Sequence, residues 1–262
     1  MKILGLSLPR RLIYELDLLR ELVVRDMKLR YKRSVLGIAW SLFNPLAQLL
    51  VLYFIFGLLF QFNIPHYSSF LFTGILAWNW FQSSLIQATG TIVDNRELIR
   101  RPAFPAAILP TVTVTSHLLH FLLAIPILMV FLMVDGIHLT FAILTLPIVI
   151  AIQYILILSL AFLIATLHVY FRDTQYLLSL FLQMLFYFTP VFYEASIIPA
   201  RYRTQYDLNP MVHLIQAYRD ILIKGELPDV QSLLVLSVVV VIFLSFSIII
   251  FKRVSYHFVE EL

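Results

Sequence analysis

Few side chains in this sequence can do chemistry. His117 and His120 lie three apart on one helix face inside a long apolar run, and His168 lies near the end of another. With no cysteine in the chain and no carboxylate nearby, a metal on the histidine pair is a weaker reading than hydrogen bonding between helices. There are no paired aspartates, no HExxH and no GxSxG, which speaks against intramembrane hydrolysis. The absence of GxxxxGK[ST] excludes a nucleotide held by a P-loop. Asp173 and Glu194 are the only carboxylates placed to serve a membrane-surface enzyme such as a lipid-linked sugar transferase. Asp173 more simply caps a helix, and Glu194 opens a loop.

What the apolar runs do carry is neutral polarity and aromatic rings. Ser41, Asn44 and Gln48 share a face beside Trp40, and Asn79, Ser83 and Gln87 repeat the spacing. Ser179, Gln183 and Tyr187 do so again, near Phe186, Phe188, Phe192 and Tyr193. One reading is hydrogen bonding between helices together with an interfacial aromatic belt. The other is a path for a large, neutral, hydroxyl-rich solute, in which rings stack on sugar C–H faces and amides exchange hydrogen bonds with hydroxyls.

The elements that must position these groups belong in a bilayer. Of 262 residues, 61% are hydrophobic and 13% charged, whereas a soluble domain carries about 25% charged residues. Six windows are candidate spans of about 20 residues: 35–60, 67–90, 106–134, 139–168, 174–193 and 231–251. None holds Lys, Arg, Asp or Glu. The second is the most dilute, and Pro110, Pro126 and Pro147 offer places for the third and fourth to tilt or break. Fifteen of the 19 Lys and Arg residues fall in 1–34, 91–105, Arg172 and the tail, which predicts both termini in the cytoplasm. No signal peptide is expected from the N-terminal pattern. The fold predicted is an all-α polytopic membrane protein and a single domain over 1–262. It comprises an N-terminal interface segment 1–34, a six-span bundle 35–251 and a cytoplasmic tail 252–262.

Three segments lie outside the spans. In 10–33, the residues Leu12, Leu16, Leu19, Val23, Met27 and Tyr31 form an apolar stripe, with Asp17/Arg20, Glu21/Arg25 and Asp26/Arg30 as ion-pair candidates. Such a helix floats on anionic lipid heads, docks a cytoplasmic partner, or does both. The stretch TIVDNRELIRRPAFP at 91–105 reads as a capped helix of about two turns, started by Asp94 with Glu97 and stopped by Pro102. On the outer side, Asn209–Pro210 is a cap and first turn for an amphipathic helix over 211–222. That helix is either a lid over a pathway or a surface helix.

Ion-coupled transporters keep ionisable groups inside the membrane. With neither such a site nor a nucleotide site, uphill transport by this chain needs drive from another polypeptide, entering through 91–105 and 10–33.

Four blocks, RYKRSVLGIAWSLFNPL at 30–46, VYFRDTQYLL at 169–178, QMLFYFTPVFY at 183–193 and LNPMVHLIQAYRD at 208–220, resemble polysaccharide-exporting permeases of the ATP-binding-cassette superfamily. The resemblance covers the whole chain. It implies a bacterial inner-membrane homodimer carrying two copies of a separate ATPase. That partner binds ATP and Mg, while this chain binds no cofactor. The cargo implied is lipid-linked O-antigen, capsule or teichoic acid, with another lipid or a drug as the alternative. It further implies a coupling helix at Asp94, Asn95, Arg96, Glu97, Arg100 and Arg101, and an interface helix at Leu12, Leu16, Leu19, Val23, Arg25, Met27 and Arg30. The substrate path would involve Trp40, Asn44, Gln48, Gln183, Phe186, Tyr187 and Tyr193. The re-entrant outer gate would involve Asn209, Pro210 and Tyr218. Nothing in the pattern suggests nucleic-acid binding.

Overall fold

The structure is a computed structural model that describes residues 10–32, 39–102 and 104–261. Helices are the only regular elements among them, in the order α1 (Arg10–Tyr31), α2 (Ala39–Leu52), α3 (Tyr67–Asp94), α4 (Arg96–Ile99), α5 (Ile108–Val134), α6 (Leu146–Tyr170), α7 (Thr174–Tyr187), α8 (Ala200–Asp207), α9 (Pro210–Arg219), α10 (Val230–Ser255) and α11 (Phe258–Glu261). Wide π turns extend α2 to Leu59 and α9 to Lys224, and a 3-10 turn over Phe141–Thr145 precedes α6. Pro147, in the first turn of α6, explains why the fourth window starts as a separate turn rather than as one rod.

Among the described residues, four helical segments have both the length and the apolarity to cross a bilayer: Leu42–Leu59, Ile108–Val134, Phe141–Tyr170 and Val230–Ser255. The second and fifth windows depart from that pattern for different reasons. Helix α3 has 28 residues but is diluted by polar side chains. Helix α7 has 14 residues, about 21 Å of rise at 1.5 Å per residue, against a hydrocarbon core of about 30 Å. It ends at Tyr187, short of the expected 193, and the chain turns there through Thr189 and Pro190.

Helix α3 tolerates its polarity because protein surrounds it. Nineteen of its 28 residues are buried, against α2, α5, α6, α7 and α9. Its hydroxyls bond back one turn, Thr73 to Ser69, Ser84 to Trp80 and Thr89 to Leu85, so they need no outside partner. Its N-terminus has no side-chain cap of its own. Asp135, just past α5, supplies one from across the bundle, accepting from the Ser69 backbone N–H at 3.3 Å and from the Ser68 and Ser69 hydroxyls. A carboxylate at that end also suits the helix dipole.

A second clamp on α3 is Arg219, one of the four basic residues outside the fifteen counted above. It is buried, with its ring-stacking face 3.3 Å above the Phe70 centroid. Its guanidinium donates to the carbonyls of Pro190 (2.6 Å), Val191 (2.8 Å) and Phe70 (3.3 Å), tying the chain after α7 to α3. Gly74 makes room for it: a Cβ there would meet Val191 O at 2.8 Å and Arg219 Nη2 at 2.9 Å. Helix α9 is accordingly packed into the bundle rather than laid on a surface, with Met211, Leu214, Ile215 and Tyr218 all in the core.

A second cluster closes the end of the bundle that carries α1, α4 and α11. Leu22 and Val23 of α1 meet Ile92, Ile99, Ile108, Val112, Phe162, Phe251 and Phe258. Gly74→Ala is expected to destabilise the protein by about 1–3 kcal/mol, since backbone must move. Gly90→Ala, whose Cβ meets only the flexible Asp94 carboxylate, is expected to be neutral or mildly stabilising through helix propensity. Thermal unfolding of the two purified variants checks the order.

Candidate functional site

The charged stretch 91–105 folds differently from its sequence pattern. Helix α3 runs through Asp94, so Asp94 is a last helical residue and not a cap. Asn95 stands between α3 and α4, its side-chain amide donating to Thr91 O at 2.9 Å. The helix that follows is the four residues Arg96–Ile99, shorter than two turns, and no capping box forms between Asp94 and Glu97. What results is a knuckle. Asp94, Arg96, Glu97, Arg100 and Arg101 are exposed while Ile99 is buried in that second cluster. Phe258 of α11 is fully buried in the same cluster, 5.4 Å from the Phe251 ring, and α11 packs on α4. Neither Ile99 nor Phe258 was singled out in the sequence. Their signal is an apolar pair inside each charged segment, Leu98–Ile99 and Phe258–Val259.

The interface helix presents part of its expected stripe inward. Val23 is buried and Leu19 and Met27 are half-buried, but Leu16 is 52% exposed, and Leu22 is buried instead. The side chains of Leu12 and Tyr31 lie outside the described residues, as do 33–38 of the RYKRSVLG block and the Ser41 side chain. Of the three ion pairs, Asp26–Arg30 forms at 3.0 Å, and the other two do not among the described residues. Arg25 is exposed, whereas Arg30 turns into the bundle.

Two of the three neutral polar sets come together. Asn79 of α3 donates to Gln48 of α2 at 3.1 Å. Asn44 and Ser83 line a cavity of about 300 Å³, together with Trp40, Trp80 and His120. Gln87 accepts from Arg30, and its side-chain oxygen lies 2.8 Å from His117 Nε2. The third set stays apart: Gln183 and Tyr187 are on the exposed side of α7, which packs on α3 through Leu182 and Phe186. The aromatic residues gather around Phe192, with ring distances of 4.8 Å to Phe56, 5.8 Å to Phe186, 6.4 Å to Tyr187 and 5.0 Å to Tyr193. Tyr67 fixes the cluster by donating to Phe192 O at 2.9 Å.

Asn209 caps α9 as its spacing predicts, accepting from the Met211 N–H at 3.0 Å and donating to Thr189 Oγ1 at 2.9 Å. Tyr218 points into the core beside Phe121 at 5.9 Å and lines no outer opening. In the outer segment, burial and the Tyr193 contact raise the Tyr206 phenol pKa, so that group stays neutral. The Ser232 hydroxyl, bonded to Asp229 at the start of α10, holds that carboxyl below its usual value. Among the described residues no cluster of His, Cys, Asp and Glu has metal-site geometry.

Known proteins place this architecture. The chain is 35% identical to an O-antigen export system permease protein (RfbA) of Myxococcus xanthus over 259 residues, 98% of this chain and 100% of that one. It is 32% identical to a Klebsiella pneumoniae protein of the same description over 260 residues, 99% and 100% of the two chains. A polysialic acid transport protein (KpsM) of Escherichia coli is 23% identical over 215 residues, 81% and 83% of the two. The ABC-2 type transporter family pattern matches residues 17–223. This chain belongs to the ABC-2 type transporter membrane family.

Proposed function

We propose that this chain is the permease subunit of an ATP-driven exporter that moves lipid-linked polysaccharide across the bacterial cytoplasmic membrane. The observation that carries this is full-length similarity to proteins named as O-antigen export permeases, at 32–35% identity. ATP and Mg belong to a separate ATPase. The working unit is a homodimer of this chain on two ATPase copies, with six crossings per chain and both termini cytoplasmic. In that count α3 is the crossing that surrounding protein makes possible, and α7 is a short, largely exposed one.

The knuckle of α4 is the point of drive. Its charges face outward to be gripped, while Ile99 transmits displacement into the inner cluster and so into α3, which α4 follows after one residue. The aromatic cluster around Phe192 and the outward faces of α2 and α7 supply the rings and amides that a glycan chain needs. Trp40, Phe43 and Phe54 on α2, and Phe181, Tyr187 and Phe188 on α7, are all exposed in the single chain. A second copy facing them encloses a central path. Capsule, teichoic acid and O-antigen are alternatives within this class, and a drug or another lipid lies outside it.

Reversing both Glu97 and Arg100 is expected to cut export by an order of magnitude or more (about 1.4 kcal/mol of lost coupling per tenfold) while the ATPase still turns over. Export and ATP hydrolysis measured on one reconstituted preparation check this, and wild-type coupling in a stably inserted variant removes α4 from the role. Trp40→Ala and Tyr187→Ala are expected to impair export with insertion unchanged. Glycan delivery to the outer face, normalised to membrane-inserted protein, is the measurement. Wild-type delivery by both variants counts against the path.

A further inference from the structure

Helices α4 and α11 share an unusual economy. Each has four residues, well short of the length at which a helix holds by itself in water. Each buries one side chain, Ile99 in α4 and Phe258 in α11, and both side chains sit in the same cluster. The rest of α11 is exposed: Val259, Glu260 and Glu261 face outward, and the His257–Glu260 contact at 3.3 Å lies on the surface. Phe258 therefore sets where α11 sits. Its ring meets Phe251 edge-on at 5.4 Å, and Phe251 lies 5.0 Å from Phe162 of α6.

Helix α4 is no better anchored from within. Arg96 and Glu97 approach at 4.0 Å with both side chains exposed, a contact of little value in water. Asn95 gives α4 no side-chain cap, since its amide turns back to α3. The N–H groups of Leu98 and Ile99 donate to Asn95 O at 2.9 and 3.2 Å, and that of Arg100 to Arg96 O at 3.0 Å. Such short, exposed turns open readily unless packing holds them. Leu98 and Ile99 supply that packing, in a cluster to which the last segment adds Val254 and Phe258. Helix α11 lies directly on α4 and on α6. Two marginal helices thus order each other. A loose α4 would swing at Asn95 and leave α3 where it was.

We infer that α11 is a working part of the drive, with Phe258 as the positioning residue that holds α4 rigid, so that a push on α4 reaches α3 only while α11 is docked. The inference rests on the drive proposed at α4. It adds to that drive a segment more than 150 residues away in sequence.

Phe258→Leu, Phe258→Val and Phe258→Ala are compared in the full-length permease–ATPase complex. Hydrogen exchange of the peptide 94–101, read by mass spectrometry, is expected to quicken with the volume removed, by at least about tenfold for alanine. The start of α5 at 108–114 belongs to the same cluster and is expected to keep its protection, which a general loosening would not allow. On the same preparations ATP hydrolysis is expected to continue while glycan delivered per ATP falls in the same order. Leucine retains most of that delivery. If the alanine variant fails to insert, the valine variant carries the test. Unchanged exchange at 94–101, equal loosening of 108–114, or wild-type delivery per ATP despite a loosened α4 overturns the inference. Should reversal of Glu97 and Arg100 uncouple the complex where the Phe258 series does not, this inference falls and the drive at α4 stands. A wild-type complex that delivers no glycan sinks the export reading instead. Exchange needs no transport, so it still decides for or against Phe258 as the residue that orders α4.

Discussion

Hydrocarbon offers no partner to a polar group, and this structure is organised around one helix that could not stand alone in it. Helix α3 carries Asn79, Gln82, Ser83, Ser84 and Gln87 through the middle of an apolar protein. Every neighbour then becomes a solvent substitute. Gln48 meets Asn79, and Gln82 takes the Trp78 indole N–H at 2.8 Å. Gln153 of α6 donates to the Ala77 carbonyl at 2.8 Å, and Asp135 caps the outer end. The exposed apolar surface follows from this arrangement, since half of the α6 span is buried but only 17% of the α10 span and 11% of the α2 span. The helices around α3 keep their greasy faces for lipid or for another copy.

Much of this was legible in the sequence. Apolar windows at 106–134 and 231–251 map onto α5 and α10 within a few residues, because period and length alone define a lipid-facing helix. Asn209–Pro210 announced α9 correctly because a cap is a local interaction. The difficulties arose where the answer is tertiary. The 174–193 run is uncharged throughout, yet α7 stops at Tyr187, since the next residues bend to reach Arg219 from another part of the chain. Arg219 itself reads as an outer-loop charge, and no local pattern distinguishes a solvated arginine from one collecting three carbonyls. Asp94 with Glu97 had the spacing of a capping box. The continuation of α3 through Asp94 prevailed, held by the burial of Ile92.

The candidate site was legible in kind but less so in membership. Polar sets on 41–48 and 79–87 do face each other, which a shared period cannot reveal without knowing that α2 packs on α3. The set on 179–187 has the same spacing and lies elsewhere. Arg30 shows the limit most clearly. It belongs to a charged amphipathic helix whose other basic residues Arg20, Arg25 and Lys28 point outward, yet it alone among these four turns inward to Gln87. Helical phase separates it from the others by a fraction of a turn, and only the packing of α1 on α5 converts that phase into burial.

Under the drive proposed at α4, the two ends of α3 would carry a small displacement from one end of the bundle to the other. At the inner end, Ile92 and Ile99 sit in one packed cluster with Phe251 and Phe258, so movement of α4 cannot be absorbed by a loose hinge there. At the outer end, Gly74 and Arg219 bring the backbone of 190–191 into direct contact with α3. Close-packed interiors shift between arrangements rather than deform smoothly. A helix packed at both ends and mostly buried between them would move as a rod under that push. The chain that follows α7 moves with it, and that chain carries Phe192 and the aromatic cluster. On the proposed coupling, rearrangement around Phe192 would follow from a push at α4. The polar helix in the centre carries that push because it is bonded on all sides to the helices it must move.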